Sequence, residues 1–216
     1  MSETTQQVRL VAYSDYLCPW CYNASVRLQR LEEQEPDVEV EWRSYLLRPR
    51  PGRSRDLDRF RAYTESWRRP GAEEDAGAFR IWASEEGPPS HSVPAQVAAK
   101  AAGELGRAAF RRFHDGLLRA YFHDSRDISR AEVLEALWDE ANLPSDAFAR
   151  REDPALLRRV LAEHEEALRC GATGPTARVA GPPHLKTVAH RRGRHKRTGR
   201  ARRGPFLSSS VEAGYV

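Results

Sequence analysis

Cysteine is scarce in this chain. Three in 216 residues are too few for the disulfide framework of a small secreted domain. Long apolar runs are absent too, so no segment reads as a membrane span, and Met1 to Gln7 carries neither a basic stretch nor an apolar one of the secretory type. These absences lead us to expect a cytoplasmic protein. A second CxxC is missing, and Cys170 has no ligand-spaced histidine pair beside it, which leaves zinc short of its usual four ligands. No metal site and no bound cofactor are therefore expected. The 216 residues, 40% of them hydrophobic, suffice for one domain or for one domain carrying a large insertion.

The most informative residues are Cys18, Pro19, Trp20 and Cys21. They follow a β-type run from Val8 to Tyr13 and precede a helical segment beginning near Asn23. A CxxC that opens a helix sets its first sulfur against unpaired backbone N–H groups and the positive end of the helix dipole, which favours thiolate over thiol. Cys18 is thus the expected nucleophile, with a depressed pKa. Pro19 suits the first helical turn, where its missing N–H is not needed, and Cys21 falls within disulfide reach as the resolving thiol. Half of a zinc knuckle, or two cysteines filling a core, are the competing readings. Trp20 fits loop packing and substrate contact, while Asp15 and Tyr16 either tune the Cys18 pKa or serve the loop.

The spacing predicts a helix to about Glu33 and then a half-buried strand from Val38 to Tyr45, where apolar and polar residues alternate. A strand, a helix and a second strand in that order imply a parallel crossover. Leu46 to Gly52, with two prolines and a glycine, ends the unit. From 56 to 169 the chain reads as a helical insertion, with apolar stripes at Val97, Ala98, Ala101, Ala102 and Leu105 and again from Phe110 to Phe122. Ser129 with Glu132 resembles a capping box for a helix that stops near Asn142. A last helix is expected over Pro154 to Leu168, with Glu163, Glu165 and Glu166 on a solvated face. Cys170 is read as a buried structural cysteine rather than a third redox thiol. Gly174, Pro175 and Thr176 then lead into a short strand.

The run Ser14-Asp15-Tyr16-Leu17 before CPWC, the Arg48-Pro49 turn, and the stretch from Ala120-Tyr121-Phe122 through Asp127-Ile128-Ser129 to Val133-Leu134 carry a resemblance. Over roughly residues 8 to 181 the chain resembles the DsbA-like thioredoxin superfamily, in particular its cytoplasmic FrnE-type branch, which borders on the 2-hydroxychromene-2-carboxylate isomerases. The resemblance implies an α/β, thioredoxin-like fold with a large all-helical insertion. Its first half would be residues 1–55, the insertion 56–169, and the return to the fold 170–182. It implies dithiol–disulfide exchange through Cys18 and Cys21 on disulfide-containing proteins or small thiols. Pro19, Trp20, Gly174, Pro175 and Thr176 would line the substrate groove, with Pro175 as a cis-proline. Isomerase relatives carry serine in place of Cys18 and use glutathione, so a glutathione-dependent isomerase is the second reading and glutathione a candidate co-substrate. Gly174 departs from the hydrophobic residue that the family places before its cis-proline.

Residues 183–216 differ in character from everything before them. Nine Lys/Arg and one acid give +8 from His184 onward, leaving −4 for residues 1–183 out of the chain's +4. Such a segment is expected to be disordered and to attract nucleic acid non-specifically, without the aromatic residues of a base-stacking platform. Three readings stand open here: an incidental tail, a polyanion-binding tail, or a shifted reading frame that has replaced the last strand and helix. Loss of that helix would uncover one face of the sheet and favour instability or self-association, a homodimer in the simplest case, and activity could then fail with the motif intact, so a catalytically impaired variant with a polyanion-binding tail is a further alternative.

Overall fold

The computed structural model describes residues 7–52 and 55–180, the last five by backbone alone. The basic tail, the strand and helix whose loss is at issue, and residues 181–182 of the returning segment lie outside the described residues.

β1 (Val8–Ser14) and β2 (Val38–Ser44) pair in parallel, from Val8 opposite Val38 to Ser14 opposite Ser44. A parallel pair cannot be closed by a tight turn, and α1 (Pro19–Gln34) supplies the crossover. β3 (Thr176–Ala180) runs antiparallel on the other side of β1, giving the order β2-β1-β3. Both neighbours of β1 thus come from distant parts of the sequence, and the C-terminal end of β1 delivers the chain directly to Cys18.

Among the described residues six α-helices fall between β2 and β3: α2 (Leu57–Thr64), α3 (Arg68–Gly71), α4 (Val93–Glu104), α5 (Arg107–Phe122), α6 (Ala131–Glu140) and α7 (Pro154–Arg169), with 3-10 turns at Glu65–Trp67 and Ser145–Glu152. The expected α/β architecture with its large helical insertion is therefore observed. The apolar stripes are core: Val97, Ala98, Ala101 and Ala102 of α4 and Phe113, Leu117, Leu118, Tyr121 and Phe122 of α5 are buried together, with Leu105 and Phe110 packed at their margin. Tyr16, Leu17 and Leu46, which flank the ends of β1 and β2, belong to the same cluster. Burial of this size is the main stabilising term.

Three sequence expectations are corrected. Residues 72–92 are not helical. Gly77, Gly87, Pro88 and Pro89 break the pattern, and the segment is held by Trp82, 1% exposed with its indole N–H on Glu86 O (3.0 Å), and by the Arg80 N–H on Phe122 O (2.9 Å). Ser129 does not cap α6, which starts at Ala131 with Arg130 in the cap position. The Ser129 hydroxyl instead donates to Asp127 (2.6 Å) and receives the Ser90 N–H (3.1 Å), joining two loops. Finally, α7 does not turn its glutamates to solvent as a row. Glu163 is buried and pairs with Lys100 of α4 at 2.6 Å, while also accepting the Ser44 N–H (2.7 Å) and Arg159 Nε (3.0 Å). Glu166 binds Arg43 of β2 at 2.5 Å. Cationic partners 60 to 120 residues away in sequence decide these positions, and helical spacing cannot reveal them.

Candidate active site

Cys18 occupies the N-cap of α1 with extended backbone (φ −99°, ψ 114°), and Pro19 takes the first helical position as expected. The turn is closed by the Cys18 N–H on Asp15 O (3.1 Å) and the Cys21 N–H on Cys18 O (3.0 Å). Cys18 and Cys21 are both buried thiols, not joined in a disulfide. The Cys21 thiol donates to the Cys18 sulfur, as do the backbone N–H groups of Cys21 and Trp20. Together these donors outweigh burial and the nearby Asp15 charge, and hold the Cys18 pKa below its ordinary value. Burial pushes Cys21 well up, and the Cys18 sulfur beside it adds to the effect. The two thiols are therefore electrostatically unlike: one is poised as thiolate, the other holds its proton.

The site is braced from three sides. Asp15 is 0% exposed; its carboxylate accepts the N–H groups of Leu17 (2.7 Å) and Leu47 (2.6 Å) and the Ser92 hydroxyl. Burial drives its pKa up to about 6 in spite of these donors. The Ser92 hydroxyl also receives the Arg48 N–H at 3.1 Å, and Gln96 Nε2 on α4 donates to Ser14 O at 2.7 Å. His114 of α5, 2% exposed, lies 2.9 Å through Nδ1 from the Tyr16 hydroxyl and 2.8 Å through Nε2 from Ser25 Oγ. It so joins the loop before CPWC to α1. Burial, helped by the charges of Lys100 and Arg111, lowers its pKa to about 3, so the ring is neutral.

Of the expected groove residues, Trp20 is 38% exposed, with the Arg69 guanidinium 5.9 Å from its ring centroid. Gly174 and Pro175 are half-buried, and Thr176 opens β3 opposite Tyr13. The antiparallel register brings 174–176 to the C-terminal end of β1, the end that leads to Cys18. One expectation fails here. No cis peptide bond occurs among the described residues, so Gly174–Pro175 is trans, the lower-energy isomer for an X-Pro bond. Cys170, expected to be buried, is half-buried at the C-cap of α7. Sequence reasoning did not single out Ser92, Gln96 or His114. Ser92 ends a loop before α4, and Gln96 and His114 are single polar residues within helices; nothing in their local sequence sets them apart, and only burial beside the loop gives each a role.

With this geometry in view, comparison with known proteins is decisive for the family. A model described as "DSBA-like thioredoxin domain" matches residues 9–186. The chain belongs to the DSBA-like thioredoxin family. Its solved structural neighbours agree in fold. A candidate protein disulfide isomerase from Nitrosomonas europaea superposes with a TM-score of 0.72 at 13% identity, covering 85% of this chain and 90% of that one. The cytosolic disulfide reductase DsbM from Pseudomonas aeruginosa gives 0.66 at 23% identity, covering 84% and 89%. A probable DsbA oxidoreductase from Streptomyces coelicolor gives 0.64 at 25%, covering 80% of each chain. No curated protein matches. For this DSBA-like chain, membership supports disulfide oxidoreductase chemistry in general, and among its described residues no helix is long and apolar enough to cross a membrane.

Proposed function

We propose that this DSBA-like protein is a thiol–disulfide oxidoreductase in which Cys18 attacks and Cys21 resolves. The observation that carries the reading is the Cys18 sulfur at the N-terminus of α1, receiving two backbone N–H groups and the Cys21 thiol proton. The Cys18 thiolate attacks one sulfur of a substrate disulfide, forming a mixed disulfide as the other substrate sulfur leaves as thiolate and takes up a proton. Cys21 then loses its proton and attacks Cys18. The Cys18–Cys21 disulfide forms, the bond to substrate breaks, and the protein has been oxidised by two electrons as the substrate was reduced. The reverse sequence oxidises a substrate dithiol.

In this reading Pro19 and Trp20 on one side and Gly174, Pro175 and Thr176 on the other flank the groove. Substrates are disulfide-bearing proteins or small disulfides, and the chain sits in the cytoplasmic FrnE-type branch. A structure of DsbM was solved with GSH, which makes glutathione a reasonable co-substrate. Glutathione-dependent isomerisation is the weaker reading, because Cys18 stands where those relatives carry serine.

The test is the pH dependence of iodoacetamide alkylation of the reduced protein, wild type against Cys18→Ser. A fast phase titrating well below the free-cysteine value of about 8.5, and lost in the variant, is expected. Slow, unperturbed alkylation in the wild type would overturn the reading.

A further inference from the structure

The Arg48-Pro49 turn carries part of the family resemblance, yet exchange chemistry assigns it nothing. Arg48 Nε donates to Ser90 O at 3.2 Å, and Arg55 Nη2 to Pro89 O at 3.2 Å. Both bonds end on backbone carbonyls, and among the described residues neither guanidinium has a carboxylate within ion-pair distance. The charge acting most on Arg48 is the like charge of Arg55; together with burial it lowers the Arg48 pKa. The second guanidinium stacks on Phe60, 4.4 Å from the ring centroid, and also bonds the buried Tyr121 hydroxyl. Gly52 leaves room for the first: a Cβ there would lie 2.5 Å from Arg48 Nη2. His91 adds a third nitrogen-bearing side chain, its Nδ1 2.8 Å from Ser90 Oγ. Asp127 is the acid nearest in effect to His91, but its carboxylate is engaged by the Ser129 N–H and hydroxyl.

Two half-buried arginines bound to the adjacent carbonyls of Pro89 and Ser90, with no carboxylate counter-ion among the described residues, are costly unless an anion neutralises them, and each guanidinium keeps donors in the fork geometry that fits a carboxylate. Cross-linking of loops would explain either arginine alone, since one carbonyl contact suffices for that. The backbone of Arg48 is also tied to the loop before CPWC. Leu47, the residue before Arg48, gives its N–H to Asp15, and the Arg48 N–H goes to the same Ser92 hydroxyl that donates to Asp15.

We propose that Arg48 and Arg55, with His91 at their edge, form an anion subsite that seats a carboxylate of the disulfide substrate while its sulfurs face Cys18. The proposal rests on the exchange reading above and adds a substrate class to it: small disulfides bearing carboxylates.

The test compares two disulfides of similar length, dithiodipropionate and neutral hydroxyethyl disulfide, reacting with the reduced full chain, each rate normalised to that of free dithiothreitol. The ratio of anionic to neutral rate is expected to fall about tenfold in Arg48→Met, as for one lost charge-assisted hydrogen bond, and to recover in part in Arg48→Lys. In the wild type, sulfate at fixed ionic strength should slow the dithiodipropionate reaction alone. An unchanged ratio, or sulfate acting alike on both disulfides, overturns the subsite while leaving exchange intact. The sulfate arm decides the matter even if Arg48→Met does not fold. No reaction with either disulfide would instead sink the exchange reading itself, and the subsite with it.

Discussion

The Asp15 carboxylate accepts the Leu47 N–H at 2.6 Å, so the loop that presents Cys18 and the loop that leaves β2 share one buried acid. Its ionised form opposes a thiolate at Cys18. Asp15→Asn removes that charge and retains an oxygen acceptor. The alkylation midpoint of Cys18 should therefore move to lower pH than in the wild type. A midpoint that rises would mean that the hydrogen-bonded frame, and not the charge, dominates.

Asp15 and His114 also oppose each other in stability. A carboxyl raised from 3.8 to about 6 favours folding in its neutral form, so its contribution falls as pH rises from about 4 to 6. A histidine lowered from 6.5 to about 3 favours folding when neutral, so its contribution is complete above 6.5 and is lost as pH falls through that window. Each slope reaches about 1.4 kcal/mol per pH unit. Between pH 4 and 6 the two largely cancel. Urea unfolding across that range should give a stability that rises more steeply with pH in Asp15→Asn than in wild type, and the opposite change of slope in His114→Gln. Parallel profiles for the two variants would contradict this assignment.

Lys100 and Glu163 form a buried pair that ties α4 to α7, and the Lys100 ammonium also donates to Trp42 O at 3.0 Å. Lys100→Met leaves the Glu163 charge buried with only Arg159 and the Ser44 N–H and should cost about 3–5 kcal/mol. Adding Glu163→Gln should return a good part of that loss, as measured by chemical denaturation. A Lys100→Met protein as stable as wild type would show that water reaches the pair.

Gly77 passes against the Tyr22 ring, which stacks on Phe122 and meets Phe79; a Cβ at position 77 would lie 2.5 Å from that ring. Gly77→Ala should lower stability by about 1–3 kcal/mol through overpacking. Because Tyr22 follows Cys21 directly, it should also slow Cys18 alkylation at neutral pH. An unchanged melting temperature would show that the 72–92 segment yields freely.

The CPWC motif was legible from residue types alone, because the chemistry depends on which residues open a helix and the chain order supplies that directly. The strand–helix–strand start was legible for the same reason: period-2 alternation at Val38–Ser44 and a proline at the first turn of α1 are local signals. Residues 72–92 were misread because their composition, rich in Ala and Glu, resembles that of the flanking helices, whereas Trp82 and the contact of Arg80 with Phe122 hold them in an irregular path. The Ser129 motif was misread because Asp127, two residues before it, competes for the hydroxyl.

Sequence by itself determined the CPWC pair at the opening of α1, the parallel opening of the sheet and the helical nature of most of the insertion. These follow from short-range rules of capping, periodicity and turn chemistry. Only the tertiary structure decided that Glu163 is buried on Lys100, that His114 links Tyr16 to Ser25, that Gly174–Pro175 is trans beside the end of β1, and that Arg48 and Arg55 bind neighbouring carbonyls with no carboxylate partner among the described residues. Each depends on groups tens of residues apart meeting where water is excluded, and the cost of burying a polar or charged group is fixed by its neighbours in space, which the order of residues does not state.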